Sequence, residues 1–233
     1  MWEDDSNAVD AFFPVMTDHR TRFLAAALKA EALRFGQFTL KSGRISPYFF
    51  NAGRFDSGQS LATLGRAYAD AVAEAGLTFD MLFGPAYKGI PLATAVACAM
   101  AADGRDVPVA FNRKEAKTHG EGGNLIGAPM AGQRVLIVDD VITAGTAIRE
   151  ALGLIEQAGG TVAGIVIGLD RQEIVREGDS RSAARGVAEA HQVPVIAVAS
   201  LADLLDFSAQ NADLAQWRDA LADYRDRYGA RAD

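Results

Sequence analysis

Cysteine occurs once in 233 residues, at Cys98, which excludes an internal disulfide and fits a reducing compartment. Positive charge is in deficit: 23 Lys and Arg stand against 30 Asp and Glu, a net charge of -7. That balance argues against a general nucleic-acid binder, which needs a basic face to displace counterions. It leaves open a small anionic ligand held by a local cluster of cations. No apolar run approaches the ~20 residues of a membrane span. The opening Met1-Trp2-Glu3-Asp4-Asp5 is acidic and lacks the basic start and apolar stretch of a signal peptide. Together these absences lead to the expectation of a soluble, cytoplasmic protein without nucleic-acid or membrane partners. There is also no internal repeat and no low-complexity segment.

What is present suits one large α/β domain. About half of the chain, 49%, is apolar, enough for a buried core. Residues 1–16 read as an acidic, poorly patterned extension, for which the sequence offers no functional account. Asp18 can cap a helix carrying Phe23, Leu24, Ala27, Leu28 and Leu33, ended by Gly36. Residues 38–50 read as a small hairpin or strand pair, punctuated by Gly43 and Pro47. A helix with the apolar stripe Leu61, Leu64, Tyr68 and Val72 follows Asp56-Ser57 and stops at Gly76. Strands are then expected at 80–83, 107–111, 134–138, 161–169 and 193–199, with helices at 89–102 and 145–158 and a capping box at Ser200-Leu201-Ala202-Asp203. Such alternation predicts a central parallel sheet flanked by helices. The layout is a small N-terminal hood at about 17–55, an α/β core at about 56–200 and C-terminal helices at about 200–228. Cys98, in a run of small apolar residues with no neighbouring cation or His, is expected to be a packed core thiol. His19 and His191 match no motif.

The most informative segment is VLIVDDVITAGTA, residues 135–147. A buried strand runs into Asp139 and Asp140, then into a loop of small and hydroxyl residues, then into a helix. Open α/β sheets bind ligands at the carboxyl ends of their strands. A helix start there offers unpaired N–H groups and partial positive charge. Thr143, Thr146 and the N–H groups around Gly145 can hold a phosphate monoester, and Gly145 lets the backbone come close. The two carboxylates would repel that phosphate and need hydroxyl partners; the vicinal hydroxyls of a ribose fit. The segment is neither a G-x-G-x-x-G dinucleotide fingerprint nor a Walker loop. Its local chemistry reads as a ribose 5-phosphate site.

The segment resembles the PRPP (phosphoribosyl pyrophosphate) motif of the type I phosphoribosyltransferases. The resemblance assigns Asp139 and Asp140 to the ribose hydroxyls and Val141, Ile142, Thr143, Ala144, Gly145, Thr146 and Ala147 to the 5-phosphate. Three further motifs are similar to those of the orotate phosphoribosyltransferases. In FTLKSGRISPYFFN, residues 38–51, positions Phe49 and Phe50 match orotate contacts, and Lys41 matches a lysine reaching PRPP and the base. In GPAYKGIP, residues 84–91, Tyr87 and Lys88 match the pyrophosphate loop, where a non-proline cis peptide near Ala86-Tyr87 is implied. In FNRKEAKTHGEGGN, residues 111–124, Arg113, Lys114, Lys117 and His119 concentrate cations in a glycine-rich stretch. Such a stretch suits a mobile lid over a leaving group, and the family places it in the neighbouring subunit's site. That implies a homodimer with Arg113 acting in trans. Finally, Arg171 in LDRQE, residues 169–173, matches an arginine that contacts orotate, and Thr143 joins it.

The resemblance spans about residues 18–228 and implies transfer of ribose 5-phosphate from PRPP to orotate, as in pyrimidine biosynthesis. Catalytic roles fall to Lys41, Lys114, Lys117, His119, Asp139 and Asp140. Mg²⁺ is the implied cofactor, held mainly through PRPP and water rather than by side chains. A covalent intermediate is not expected, since no activated nucleophile is evident. Two rivals stand: a phosphoribosyltransferase for another base, against which residues 38–51 and 113–119 argue, and a PRPP-binding regulator without catalysis. Retention of Lys88, Arg113, Lys114, Lys117 and His119 argues against the regulator.

Overall fold

A computed structural model describes residues 18–40, 42–117, 123–143, 145–176 and 178–230, with the side chains of 115–117 and 123 not described. The acidic extension therefore lies outside the described residues. Asp18 caps α1 (His19–Lys29), accepting from the N–H groups of Arg20 and Thr21. The helix is shorter than its apolar spacing suggested. Glu31 turns the chain in the left-handed region, at φ 54. Leu33 and Gly36 then fall in β1 (Leu33–Thr39), which pairs antiparallel with β2 (Ile45–Phe50). Leu33 is buried all the same, because strand and helix share one core.

α2 (Gly58–Glu74) starts in a capping box of Ser57 and Ser60. β3 (Met81–Gly84), α3 (Gly89–Ala102) and β4 (Val109–Lys117) follow. The polar stretch after Phe111 is not all loop. β4 runs on to Lys117 and pairs antiparallel with β5 (Gly123–Gly127), so edge-strand hydrogen bonding overrides weak strand propensity. β6 (Arg134–Asp139), α4 (Thr146–Gln157) and β7 (Thr161–Asp170) come next. Residues 171–192, read above without a regular element, contain α5 (Ala183–His191), capped by Ser182. β8 (Val195–Ser200), α6 (Leu201–Gln210) and α7 (Arg218–Tyr228) complete the order. α6 carries the expected box, with Ser200 and Asp203 capping each other.

The main sheet has the order β5-β4-β3-β6-β7-β8 and is parallel apart from β5. Its central strands alternate between two cores. Leu82, Leu136, Val138, Val166 and Val198 face one core with α1, α2, α3, α6 and α7. Met81, Phe83, Val135, Ile137, Ile165 and Ile167 face a second core with α4 and α5. Full burial of each such side chain contributes roughly 1.5–3 kcal/mol. The crossover through α3 runs from β3 toward one edge, and that through α4 runs from β6 toward the other. The strand order therefore reverses between β3 and β6, and a crevice opens there at their carboxyl ends.

Cys98 is exposed, against expectation. α3 is apolar all round, so its composition could not say which face turns inward. Leu92, Ala93, Val96, Ala99 and Met100 take the buried face, and residue 98 points the other way. Among the described residues no helix is long and apolar enough to cross a membrane.

Candidate active site

The crevice between β3 and β6 receives two helix starts. α1, α2, α5 and α6 are each capped by a side chain, from Asp18, Ser57, Ser182 and Ser200. α3 and α4, which follow the two central strands, have no side-chain cap. At α4 the first-turn N–H groups are left for another acceptor, and the helix dipole favours an anion. At α3 the Gly89 and Ile90 N–H groups already donate to the Pro85 and Tyr87 carbonyls, at 2.9 and 3.3 Å, and Pro91 has none. At α4 the cap position is Gly145 with φ 69; a Cβ there would meet Val187 Cγ2 at 3.0 Å. At α3 the preceding loop doubles back tightly. A Cβ on Gly89 would lie 2.9 Å from the Val138 carbonyl oxygen, so the glycine lets this loop lie against β6. The Ala86-Tyr87 peptide is cis, as implied. The Ala86 N–H donates to Asn112 Oδ1 at 2.8 Å, which ties the loop to β4.

Asp139 and Asp140 stand where β6 ends, each 8% exposed. The Asp140 N–H donates to Asp139 Oδ1 at 2.9 Å, and the Val141 N–H donates to Asp140 Oδ1 at 2.8 Å. The Tyr68 hydroxyl donates to the Asp139 carbonyl at 3.0 Å, and the Gly168 N–H to the Asp140 carbonyl at 2.9 Å. Lys88 Nζ reaches Asp140 Oδ2 at 2.7 Å, so the cation of the 84–91 loop is tied to the acidic pair. Burial, and next the Asp140 charge, push the Asp139 carboxyl up to about 7; the Asp140 N–H and Lys88 oppose the rise. Adjacent carboxylates thus sit in unlike environments, Asp140 ion-paired with Lys88 and Asp139 held by the Asp140 N–H and favouring its proton.

Around them, Thr143, Thr146 and Ala147 are exposed, Val141 is half-buried, and the Ile142 side chain is buried in the core with α4. Val141 and Ile142 therefore offer the site backbone rather than side chain. The Thr146 hydroxyl accepts from Arg149 at 3.2 Å. Tyr87 is 64% exposed, and Lys114 Nζ lies 5.1 Å from its ring centroid. Arg113 is half-buried on β4. Lys41, His119 and Ala144 lie outside the described residues, as does the side chain of Lys117.

On the base side, the Phe49 ring packs on Phe38 with centroids 5.5 Å apart, and Phe50 packs on Phe23 at 5.8 Å. The Phe49 ring is engaged within the hairpin, and the Phe50 ring ties the hairpin to α1. Arg171 follows β7 on the same sheet edge. Its guanidinium lies 5.2 Å from the Tyr48 ring centroid, and Nη2 is 2.7 Å from Glu173 Oε1. This contact joins the hairpin to the sheet edge. Tyr48, Tyr68, Asn112, Glu173 and Tyr224 escaped the sequence reading. Tyr68 sat in an apolar stripe; Tyr48, Asn112 and Glu173 lay inside the quoted motifs without being singled out, and Tyr224 lay outside them. A groove of about 710 Å³ lies between the hairpin and α7, lined by Ile45, Pro47, Trp217 and Tyr228 among others. It contains no residue of the 139–147 segment.

The phosphoribosyl transferase domain family matches residues 55–193. The orotate phosphoribosyltransferase of Xanthomonas oryzae pv. oryzae is 72% identical over 214 residues, 92% of this chain and 98% of that protein. The chain belongs to the orotate phosphoribosyltransferase family. Among solved structures, orotate phosphoribosyltransferase of Francisella tularensis matches with a TM-score of 0.79 and 41% identity over 89% of this chain and 98% of that one. The Mycobacterium tuberculosis H37Rv orotate phosphoribosyltransferase in complex with PRPP matches at a TM-score of 0.59 and 28% identity, over 79% and 98%. The domain match of 55–193 includes β3, β6 and both helix starts of the crevice. It includes Arg171 and Glu173 and leaves out the hairpin and α7.

Proposed function

We propose that the chain transfers ribose 5-phosphate from PRPP to orotate, giving orotidine 5'-phosphate and pyrophosphate. The observation that carries this reading is the Asp139–Asp140 pair at the foot of an uncapped helix, with Lys88 tied to it at 2.7 Å. The 5-phosphate sits on the N–H groups of residues 143–147, and the ribose hydroxyls donate to the two carboxylates. A ring nitrogen of orotate forms a bond to the anomeric carbon as the bond to pyrophosphate breaks. Positive charge develops on the ribose, and the carboxylates beside it stabilise that charge. Negative charge grows on the leaving group, where Lys88, Lys114 and Lys117 meet it, with Lys41 and His119 assigned to the same cluster. Phe49, Phe50 and Thr143 line the base, and Arg171 takes its carboxylate.

Mg²⁺ fits this reading. Asp139 and Asp140 present hard carboxylate oxygens at the end of β6. An ion there would be held mainly through substrate oxygens and water, and would neutralise charge on the pyrophosphate. The assembly is a homodimer in which Arg113 reaches the partner's site. Complementation tests it: mixing Arg113→Ala and Asp139→Asn subunits, each inactive alone, restores part of the activity, and no recovery contradicts action in trans.

The deciding experiment is turnover of PRPP and Mg²⁺ with orotate, uracil, adenine and hypoxanthine in parallel. Orotate is consumed with one pyrophosphate released per orotate. Preference for another base, or PRPP binding without pyrophosphate release, contradicts the proposal.

A further inference from the structure

Beside the hairpin, three charged side chains outside the phosphate loops pack together. Arg171 and Glu173 are 17% and 14% exposed, and Arg44 is 18% exposed. Glu173 places Oε1 2.7 Å from Arg171 Nη2 and Oε2 3.7 Å from Arg44 Nη1. Arg44 is itself fixed: Nη1 donates to the Ile174 carbonyl at 2.9 Å, and its guanidinium lies 4.9 Å from the Tyr228 ring centroid. Arg171 stacks over Tyr48 and donates from Nη2 to the Tyr224 hydroxyl at 3.4 Å.

Two guanidiniums and one carboxylate leave one positive charge where little water reaches. Three buried polar atoms there have no hydrogen-bond partner: Arg171 Nε, Glu173 Oε1 and Tyr48 Oη. The Glu173 oxygen is close to Arg171 but out of line for a hydrogen bond. An unmatched buried charge with an orphaned donor is costly unless a ligand completes it. A carboxylate-bearing base supplies both the missing charge and an acceptor.

We propose that Glu173, braced by Arg44, is a positioning residue that sets the Arg171 guanidinium to receive the carboxylate of the base. The inference rests on the reading of orotate as that base. A long arginine loses rotamer freedom on binding unless it is already held. Glu173 supplies the hold, and Tyr48 and Tyr224 supply the surface.

A double-mutant cycle tests it. Glu173→Gln raises KM for orotate about tenfold and leaves KM for PRPP unchanged. In an Arg171→Ala background the same change moves KM for orotate less than about twofold, because the group that Glu173 acts through is gone. Glu173→Asp, which keeps the charge but shortens the reach, gives a smaller defect than Glu173→Gln and serves if that variant folds poorly. Equal defects in both backgrounds, or an equal rise in KM for PRPP, overturn the proposal. So does an unchanged orotate KM in Glu173→Gln beside a raised one in Arg171→Ala, with the base reading intact. No orotate turnover by the wild type, or an unchanged KM for orotate in Arg171→Ala, overturns both.

Discussion

The two halves of the crevice are made of different material. On the phosphate side, in the proposed reading, N–H groups at the start of α4 and the Lys88 cation before α3 meet the donor, and most other side chains stay out of the way: Ile142 turns into the core and Gly145 has none. The whole arrangement comes from two strand–loop–helix units adjacent in the sheet. On the base side, side chains from residues 44–48, 171–173 and 224–228 converge. The buried carboxylates differ in the same sense. Asp139 sits beside another acid, whereas Glu173 sits between two guanidiniums. In the proposed reading, backbone and Lys88 meet what every phosphoribosyl donor shares, and convergent side chains meet the particular base.

The sharpest break of this comparison is expected at Asp139. Its folded carboxyl is raised to about 7 from 3.8. The folded state therefore prefers the proton, and stability is full below about pH 4 and falls as pH rises through 7. Asp139→Asn should raise Tm at pH 8, by at most about 4 kcal/mol of stability, and the gain should vanish near pH 4, while turnover is lost. Thermal melts at the two pH values check it. Glu173→Gln, which strips the carboxylate from between two cations, should lower Tm rather than raise it. A rise in both variants would erase the distinction between the halves.

Next in size is Lys88→Ala. It should reduce kcat/KM for PRPP by about 10²–10³ with little change in KM for orotate, since its partner is Asp140. Arg171→Ala should do the reverse, raising KM for orotate by about 10-fold to 100-fold and leaving PRPP alone. Steady-state kinetics with each substrate varied separates the two, and cross-effects of equal size would mean the halves are not independent. The smallest effect is expected at Gly145→Ala. Its φ of 69 and the 3.0 Å approach to Val187 should raise KM for PRPP about tenfold, from about 1–2 kcal/mol of strain. Gly132→Ala, at φ 74 with open space around it, should leave that KM unchanged.

The same division explains what the sequence could tell. β6, its acidic pair and α4 are contiguous, so strand, loop and helix could be read from one stretch of chain. Local signals also placed the starts of α1, α2 and α6, through Asp18, Ser57 and Ser200. Long-range pairing was not legible. Leu33 continued a helical spacing, but the ladder with Phe50 claimed it for a strand. The stretch after Phe111 looked like loop until β5 paired with it. Cys98 lay in a helix without a polar face. Lys88 was assigned to pyrophosphate from its loop, yet its 2.7 Å contact with Asp140 spans 52 residues. The Arg44–Glu173–Arg171 cluster spans still more, and no motif announces it.

The most direct test is a crystal structure with PRPP and Mg²⁺ bound. The account predicts the 5-phosphate on the N–H groups of residues 143–147, the ribose hydroxyls on Asp139 and Asp140, and the pyrophosphate at the start of α3 beside Lys88. Density for the phosphate elsewhere, with both carboxylates turned from the sugar, would contradict it.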